Sequence, residues 1–362
     1  MSGVTRILWY NWKDIKHPEA GGAEVFTHEV AKRLALRGYS VTLFTSSFPG
    51  AHNEDVIDGV RILRNGSRNS VHGLGRKFYE EHPSGFDIVV DEINTKPFMT
   101  PLFVKKPKIA LIHQLAREYW LSEVPFPANL LGYYYLENHW LRRYANVPTV
   151  TVSASTRRDL ESLGFSSIFM VPEGLTYQVL SETPLKNGVP TVMYLGRLTK
   201  AKRVEHLLKA FARVRRSRSD ARLWVVGDGY LHERLKKRLG DGVLLFGKLP
   251  KSDVSELLRE AWVLVYPSVR EGFGLAIIEA NAHGTPAIGY DVAGVRDAIQ
   301  NGDTGILVQN GEIAQLANAI SSVLEDESLR LRLSRNALAY SRNFSWDKSA
   351  DEFEKVLNLI HG

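Results

Sequence analysis

Residues 262–291 read WVLVYPSVREGFGLAIIEANAHGTPAIGYD. The apolar run WVLVYPS has the length and residue types of a buried strand, and it stops at Pro267. A short loop then brings Glu271, and Gly272, Phe273, Gly274 and Leu275 make a turn into a helix that carries Glu279. The run TPAIGYD restores a strand. Such a strand, glycine turn, helix and strand form a unit whose strands run parallel, because the helix carries the chain back to the edge where it started. Glycines leave room for a ligand against the backbone, unpaired N–H groups at the helix start suit a phosphate, and carboxylates accept sugar or ribose hydroxyls.

The same alternation runs outward from this unit in both directions. Before it stand TVMYLGR, ARLWVVGDG and GVLLFGK, and after it TGILV, separated by helical segments such as RVEHLLKAFARVRRSR and EIAQLANAISSVLED. The first half repeats the plan with TRILWY, YSVTLFTS, VRILR, FDIVVDE, KIALIHQ, TVTVS and SIFMVPEG. Alternation of this kind implies parallel sheets covered by helices on both faces. A polar stretch with two prolines and a glycine, TYQVLSETPLKNGVP, separates the halves and reads as a linker. The expected division is an N-terminal domain over 1–175, a linker over 176–189, a second domain over 190–345 and a final helix over 346–362.

A chain of 362 residues is long enough for two domains that each bury a core. No run approaches the ~18 apolar residues of a membrane span, and the first residues lack the basic and apolar regions of a signal peptide. A cytoplasmic location is the expectation. With no cysteine, the chain has no disulfide, thiol catalysis or Cys-ligated metal. The net charge of +6 suits an anionic partner. The densest basic run, RVRRSRSDAR, falls at a helix end, where cations offset the helix dipole. Without zinc-finger spacing or an aromatic-basic RNA motif, nucleic acid is not an expected partner.

Three more stretches carry candidate chemistry. In YLGRLTKAKRVEHLLKAF a strand breaks at Gly196 and presents Arg197 and Lys202 before a helix, an arrangement suited to a diphosphate. In VVGDGYLHERL, Gly227, Asp228 and Gly229 fall at another strand end, as a nucleotide-facing loop or as a plain tight turn. In HPEAGGAEVF, Gly21 and Gly22 sit between a strand and a long amphipathic helix, serving either the turn alone or the approach of a ligand. None of these fits the dinucleotide or P-loop glycine pattern.

Taken together and in this order, the motifs resemble those of a family 4 glycosyltransferase of the GT-B class, and the resemblance covers nearly the whole chain. EGFGLAIIE matches the family's E-x7-E phrase, GRLTKAK its Arg-to-Lys motif, GGAE its N-terminal glycine motif and GDG its nucleotide-side loop. The resemblance implies two doubly wound, Rossmann-like domains facing each other across a cleft, with the last helix crossing back to the first domain. It implies a nucleotide diphosphate sugar, UDP- or GDP-linked, as co-substrate, and transfer of a glucose- or mannose-type hexosyl group with retention. Arg197 and Lys202 would hold the diphosphate, Glu271 would touch the sugar and Glu279 the ribose, while Gly22 would approach the diphosphate from the opposite domain. His113, ending KIALIHQ, matches a family histidine near the transferred sugar. The sequence departs from the commoner pattern at Gln114, Arg203 and Asp297, which stand where Asp, Gly and Glu are usual.

No Asp-x-Asp occurs and no histidines have metal-ligand spacing, so neither a metal nor a resident cofactor is expected. Alternatives of the same fold are a nucleotide-sugar epimerase, a sugar phosphorylase or a non-catalytic nucleotide-sugar-binding protein. The acceptor is a saccharide or a lipid-linked group. Residues 116–144, AREYWLSEVPFPANLLGYYYLENHWLRRY, read first as core packing under a helix and second as peripheral contact with the inner face of a membrane. The oligomeric state is left open.

Overall fold

The computed structural model describes residues 4–186 and 188–361; Asn187 of the expected linker lies outside the described residues. The chain forms two compact units. Unit 1 comprises Met1–Arg117, Leu130–Gly174 and Ser345–Gly362, and unit 2 comprises Glu118–Asn129 and Leu175–Phe344. Of the stretch expected as the N-terminal domain, 1–175, residues 118–129 fall in unit 2, within which they make the polar contacts described below. The described residues of the stretch that reads as a linker, 176–186 and 188–189, are irregular chain within unit 2.

Unit 1 is built on an eight-stranded sheet. Its order across the sheet is Glu54–Ile57, Val60–Arg64, Ser40–Thr45, Arg6–Tyr10, Ile88–Glu92, Lys108–Leu111, Thr149–Thr151 and Ile168–Met170. All pairs are parallel except the first, in which Glu54–Ile57 runs antiparallel to Val60–Arg64. That edge strand is absent from the sequence reading because its EDVI is half exposed and carries no apolar alternation. The signal that was available is the Asp-Gly turn: Asp58 and Gly59 both have positive φ, 49° and 81°, as a two-residue hairpin loop demands.

Unit 2 has a six-stranded, wholly parallel sheet ordered Val243–Gly247, Arg222–Val226, Thr191–Leu195, Val263–Tyr266, Ala287–Tyr290 and Gly305–Val308. Its central strands are buried over all or nearly all of their length, which is why they read as continuous apolar runs.

In each sheet the direction of winding reverses once. In unit 1 the reversal lies between Arg6–Tyr10 and Ile88–Glu92, and in unit 2 between Thr191–Leu195 and Val263–Tyr266. At such a reversal adjacent connections leave on opposite faces, so the carboxyl ends of the two strands open a crevice where ligands bind. The loop after Arg6–Tyr10 is the one that leads into Gly21 and Gly22, and the loops after the unit 2 pair carry Arg197, Lys202 and Glu271.

The helix Trp346–His361 closes unit 1 rather than unit 2. Phe353 stacks on Trp9 of the first strand at 5.0 Å between centroids, and Asp347, Asp351 and Glu354 pair with Arg33 and Arg37 of the helix Gly22–Leu36. Core packing holds for Leu141 and Tyr144 but not for Leu130, Leu131, Tyr134 and Tyr135, whose side chains are exposed. They lie on the outer face of one helical run over 130–144, and Arg142 and Arg143 are exposed at its end.

Candidate active site

Two loops meet at the reversal in unit 2. The first leaves Thr191–Leu195, passes Gly196 and Arg197, and tightens into the turn Lys200–Lys202 before the helix Val204–Ser217. The second leaves Val263–Tyr266 and reaches the helix Leu275–Ala282. Val269 N–H donates to the Ala201 carbonyl at 2.9 Å, so the two loops are joined by backbone. Arg203 follows with a left-handed φ of 49°, the conformation for which glycine is the usual residue.

This junction brings Lys202 and Glu271 together as a buried ion pair. Lys202 Nζ also donates to the Tyr266 hydroxyl at 3.2 Å. Burial works against the ammonium charge, but Glu271 outweighs it and holds Lys202 well above its ordinary range. Two ions out of water are tolerated only when each satisfies the other, so neither can lose its partner cheaply. Arg197 is exposed beside this pair, and its carbonyl accepts the Tyr194 hydroxyl at 2.8 Å.

Glu271 is held from behind. Its N–H donates to the Ala293 carbonyl at 2.9 Å, and a Cβ on Gly294 would stand 2.1 Å from the Glu271 carbonyl oxygen. Asp297 bonds the Gly294 N–H at 3.0 Å, so the shorter acid serves as a turn cap here. Gly272 and the buried Phe273 follow Glu271, and Gly274 has φ 102°, which lets the helix begin at Leu275 with its first N–H groups directed at the loop. Glu279 lies one turn on, half-buried, and no ion pair or hydrogen bond holds its carboxylate among the described residues. Burial pushes it up to about 7, with Lys251 pulling the other way.

Gly227, Asp228 and Gly229 sit beside the first loop. A Cβ on Gly227 would lie 1.9 Å from the Gly196 carbonyl oxygen, so this glycine is required by the neighbouring backbone whether or not a nucleotide approaches. Asp228 is largely exposed, and its carbonyl accepts the Leu198 N–H at 2.9 Å.

In unit 1, Gly21 is extended with φ −143° and Gly22 opens the helix Gly22–Leu36. Neither has a positive φ, so the turn itself does not demand glycine. Gly21 N–H donates to Glu24 at 2.6 Å, and Glu24 in turn faces Lys13 at 3.4 Å. His113 follows the strand Lys108–Leu111 and is buried between two carboxylates, with Glu92 3.3 Å from Nε2 and Glu173 3.8 Å from Nδ1. Burial opposes its charge, but Glu173 and then Glu92 outweigh it and lift His113 to about 10. Glu92 and Glu173 were not among the sequence candidates, although each closes a predicted strand. Among the described residues no group of His, Asp or Glu side chains has the arrangement of a metal site.

Residues 20–178 match the model described as Glycosyltransferase Family 4, and residues 180–339 match that of Glycosyl transferases group 1. The chain is 25% identical to a glycogen synthase of Mycobacterium tuberculosis over 97% of this chain and 94% of the relative. Sucrose-phosphate synthase from Thermosynechococcus elongatus has the same GT-B fold, with a TM-score of 0.81, 22% identity and 98% of each chain covered. Anabaena HepE, solved in complex with UDP-glucose, superposes with a TM-score of 0.73 at 17% identity over 98% of this chain and 99% of that one. Both halves of the molecule thus carry the same assignment, and the chain belongs to the group 1 and family 4 glycosyltransferases.

Proposed function

We propose that the protein transfers a glucose- or mannose-type hexosyl group from a UDP- or GDP-linked sugar to a hydroxyl acceptor, with retention and without a metal. The observation that carries this reading is the sequence of groups along the unit 2 junction: the Lys202–Glu271 pair, the helix start at Gly274 and Leu275, and the unpartnered Glu279. In this reading Arg197 and Lys202 offset the charge of the departing diphosphate, the N–H groups of Gly272, Phe273 and Leu275 add to that field, Glu271 orients the sugar, and Glu279 takes the ribose hydroxyls. Charge-assisted bonds contribute about 1.5–3 kcal/mol each, so a few offset a leaving diphosphate. The Anabaena protein's UDP-glucose supports a nucleotide-sugar donor. In this reading the acceptor's proton goes to a diphosphate oxygen as the acceptor attacks from the face the leaving group vacates.

A lipid-linked acceptor is the reading favoured by unit 1. Leu130, Leu131, Tyr134 and Tyr135 expose an apolar face ending in Arg142 and Arg143, which suits peripheral contact with an anionic membrane surface. No helix among the described residues is long and apolar enough to cross a membrane.

The test is a panel of UDP- and GDP-hexoses incubated with saccharide and lipid-linked acceptors in the presence of EDTA. One sugar should be consumed only when acceptor is present, and NMR should show the donor's anomeric configuration kept in the product. Inversion, or dependence on added magnesium or manganese, would remove the mechanism proposed here.

A further inference from the structure

Residues 118–129 belong to unit 2, although the chain on either side of them belongs to unit 1, and their contacts fall on the loops that bear Lys202 and Glu271. The departure point is fixed: the N–H groups of Ala116 and Arg117 donate to the buried carboxylate of Glu137, the second at 2.9 Å, and Arg117 turns with φ 35°. Beyond it the short helix Glu118–Glu123 makes two charged anchors. Glu118 accepts from Arg270 Nε at 2.6 Å. Glu123 accepts the Ala201 N–H at 2.6 Å through one oxygen and the Tyr230 hydroxyl at 2.5 Å through the other, and Tyr230 in turn accepts the Lys200 N–H at 2.9 Å.

Between the anchors lies Tyr119, whose phenol is pushed up by burial and by Glu271, with Lys202 and Arg197 pulling the other way. Lys202 is left 6% exposed and Glu271 8% exposed. An ammonium that is to meet a diphosphate cannot stay covered in this way. The covering groups, moreover, offer what a diphosphate offers: a carboxylate on the N–H of the Lys200–Lys202 turn and a phenol oxygen beside the cations. Donor and strap therefore compete for the same donors.

Resting on the donor reading above, we infer that residues 118–129 form a strap that, through Tyr119 and Glu123, competes with the donor's diphosphate at the Lys200–Lys202 turn and is displaced when the nucleotide sugar binds. The strap sets an affinity penalty on the donor, and its displacement frees Lys202 for the leaving group.

The experiment compares UDP and GDP binding by titration calorimetry in the full chain and in its Glu123→Ala and Glu118→Ala variants, with circular dichroism to confirm folding. Removing an anchor should tighten binding of the preferred nucleotide by about tenfold or more. Hydrogen exchange in the unaltered protein needs no variant: adding that nucleotide should raise exchange across 118–129. Equal or weaker binding in the anchor variants, or unchanged or slower exchange in the strap, overturns the strap while leaving the donor reading standing. If neither UDP nor GDP binds any of the three proteins, the donor reading fails and the strap falls with it.

Discussion

Lys202 and Arg197 serve one expected purpose from opposite environments, and their substitutions should separate accordingly. Arg197 is exposed, so Arg197→Ala should leave the fold unchanged and lower donor turnover by at least about tenfold, the kinetic equivalent of ~1.4 kcal/mol. Lys202→Ala strands a buried Glu271 and should cost about 3–5 kcal/mol in urea unfolding as well as activity. Replacing both ions, as Lys202→Met with Glu271→Leu, should recover most of that stability and none of the turnover. A folded double variant with normal turnover would show the pair to be structural. His113 gives a pH test. Its folded pKa is raised to about 10 from an ordinary 6.5, so its contribution is fully present below 6.5 and is lost as pH rises through 10. Unfolding midpoints should fall across that window. Glu173→Gln, which removes one of the two attractions, should flatten the fall, and an unchanged slope would assign the titration elsewhere.

At the scale of elements, the helix Gly22–Leu36 tests whether its entrance is shaped for the chain or for a ligand. Since Gly21 is extended and Gly22 helical, a side chain at Gly22 meets no forbidden dihedral. Gly22→Val should keep the melting temperature within a few degrees and severely reduce transfer. A sharp fall in melting with normal turnover per folded molecule would return the glycine to the turn. Most of the elements that sequence made legible are buried, so their pattern is dictated by the core; Thr191–Leu195, Val263–Tyr266, Ala287–Tyr290 and Ile88–Glu92 are of this kind. The edge strand Val243–Gly247 is half exposed and was legible only through its apolar composition. What escaped is what the core does not dictate. The edge strand Glu54–Ile57 is solvent-facing, Glu92 and Glu173 pair with His113 across 21 and 60 residues of chain, and the strap owes its place to Glu118 and Glu123, charges that look like any solvated helix face. Gly227 was legible as a glycine turn, but its cause, the Gly196 carbonyl, lies in another loop.

The whole molecule is two cores threaded by one chain that returns to its beginning. Unit 1 is not complete until residue 345 and beyond have been added, because the helix Trp346–His361 covers the first strand and the first long helix. Trp9 and Phe353 are both fully buried and stacked, and Trp346 lies where a Cβ on Gly174 would stand 2.2 Å from its ring. The ion pairs of Asp347, Asp351 and Glu354 with Arg33 and Arg37 are partly exposed and contribute little beside this apolar contact. Phe353→Ala should therefore cost about 3–5 kcal/mol, while Arg37→Ala should cost about 1 kcal/mol or less. Because Phe353 packs on the core of unit 1, the loss should be local. Hydrogen exchange should rise in Arg6–Tyr10, Gly22–Leu36 and Ile88–Glu92 and stay unchanged in Thr191–Leu195 and Val263–Tyr266. Equal deprotection of both sheets would mean that the units unfold as one cooperative body, and a negligible cost for Phe353→Ala would mean that the last helix is held by its charges after all.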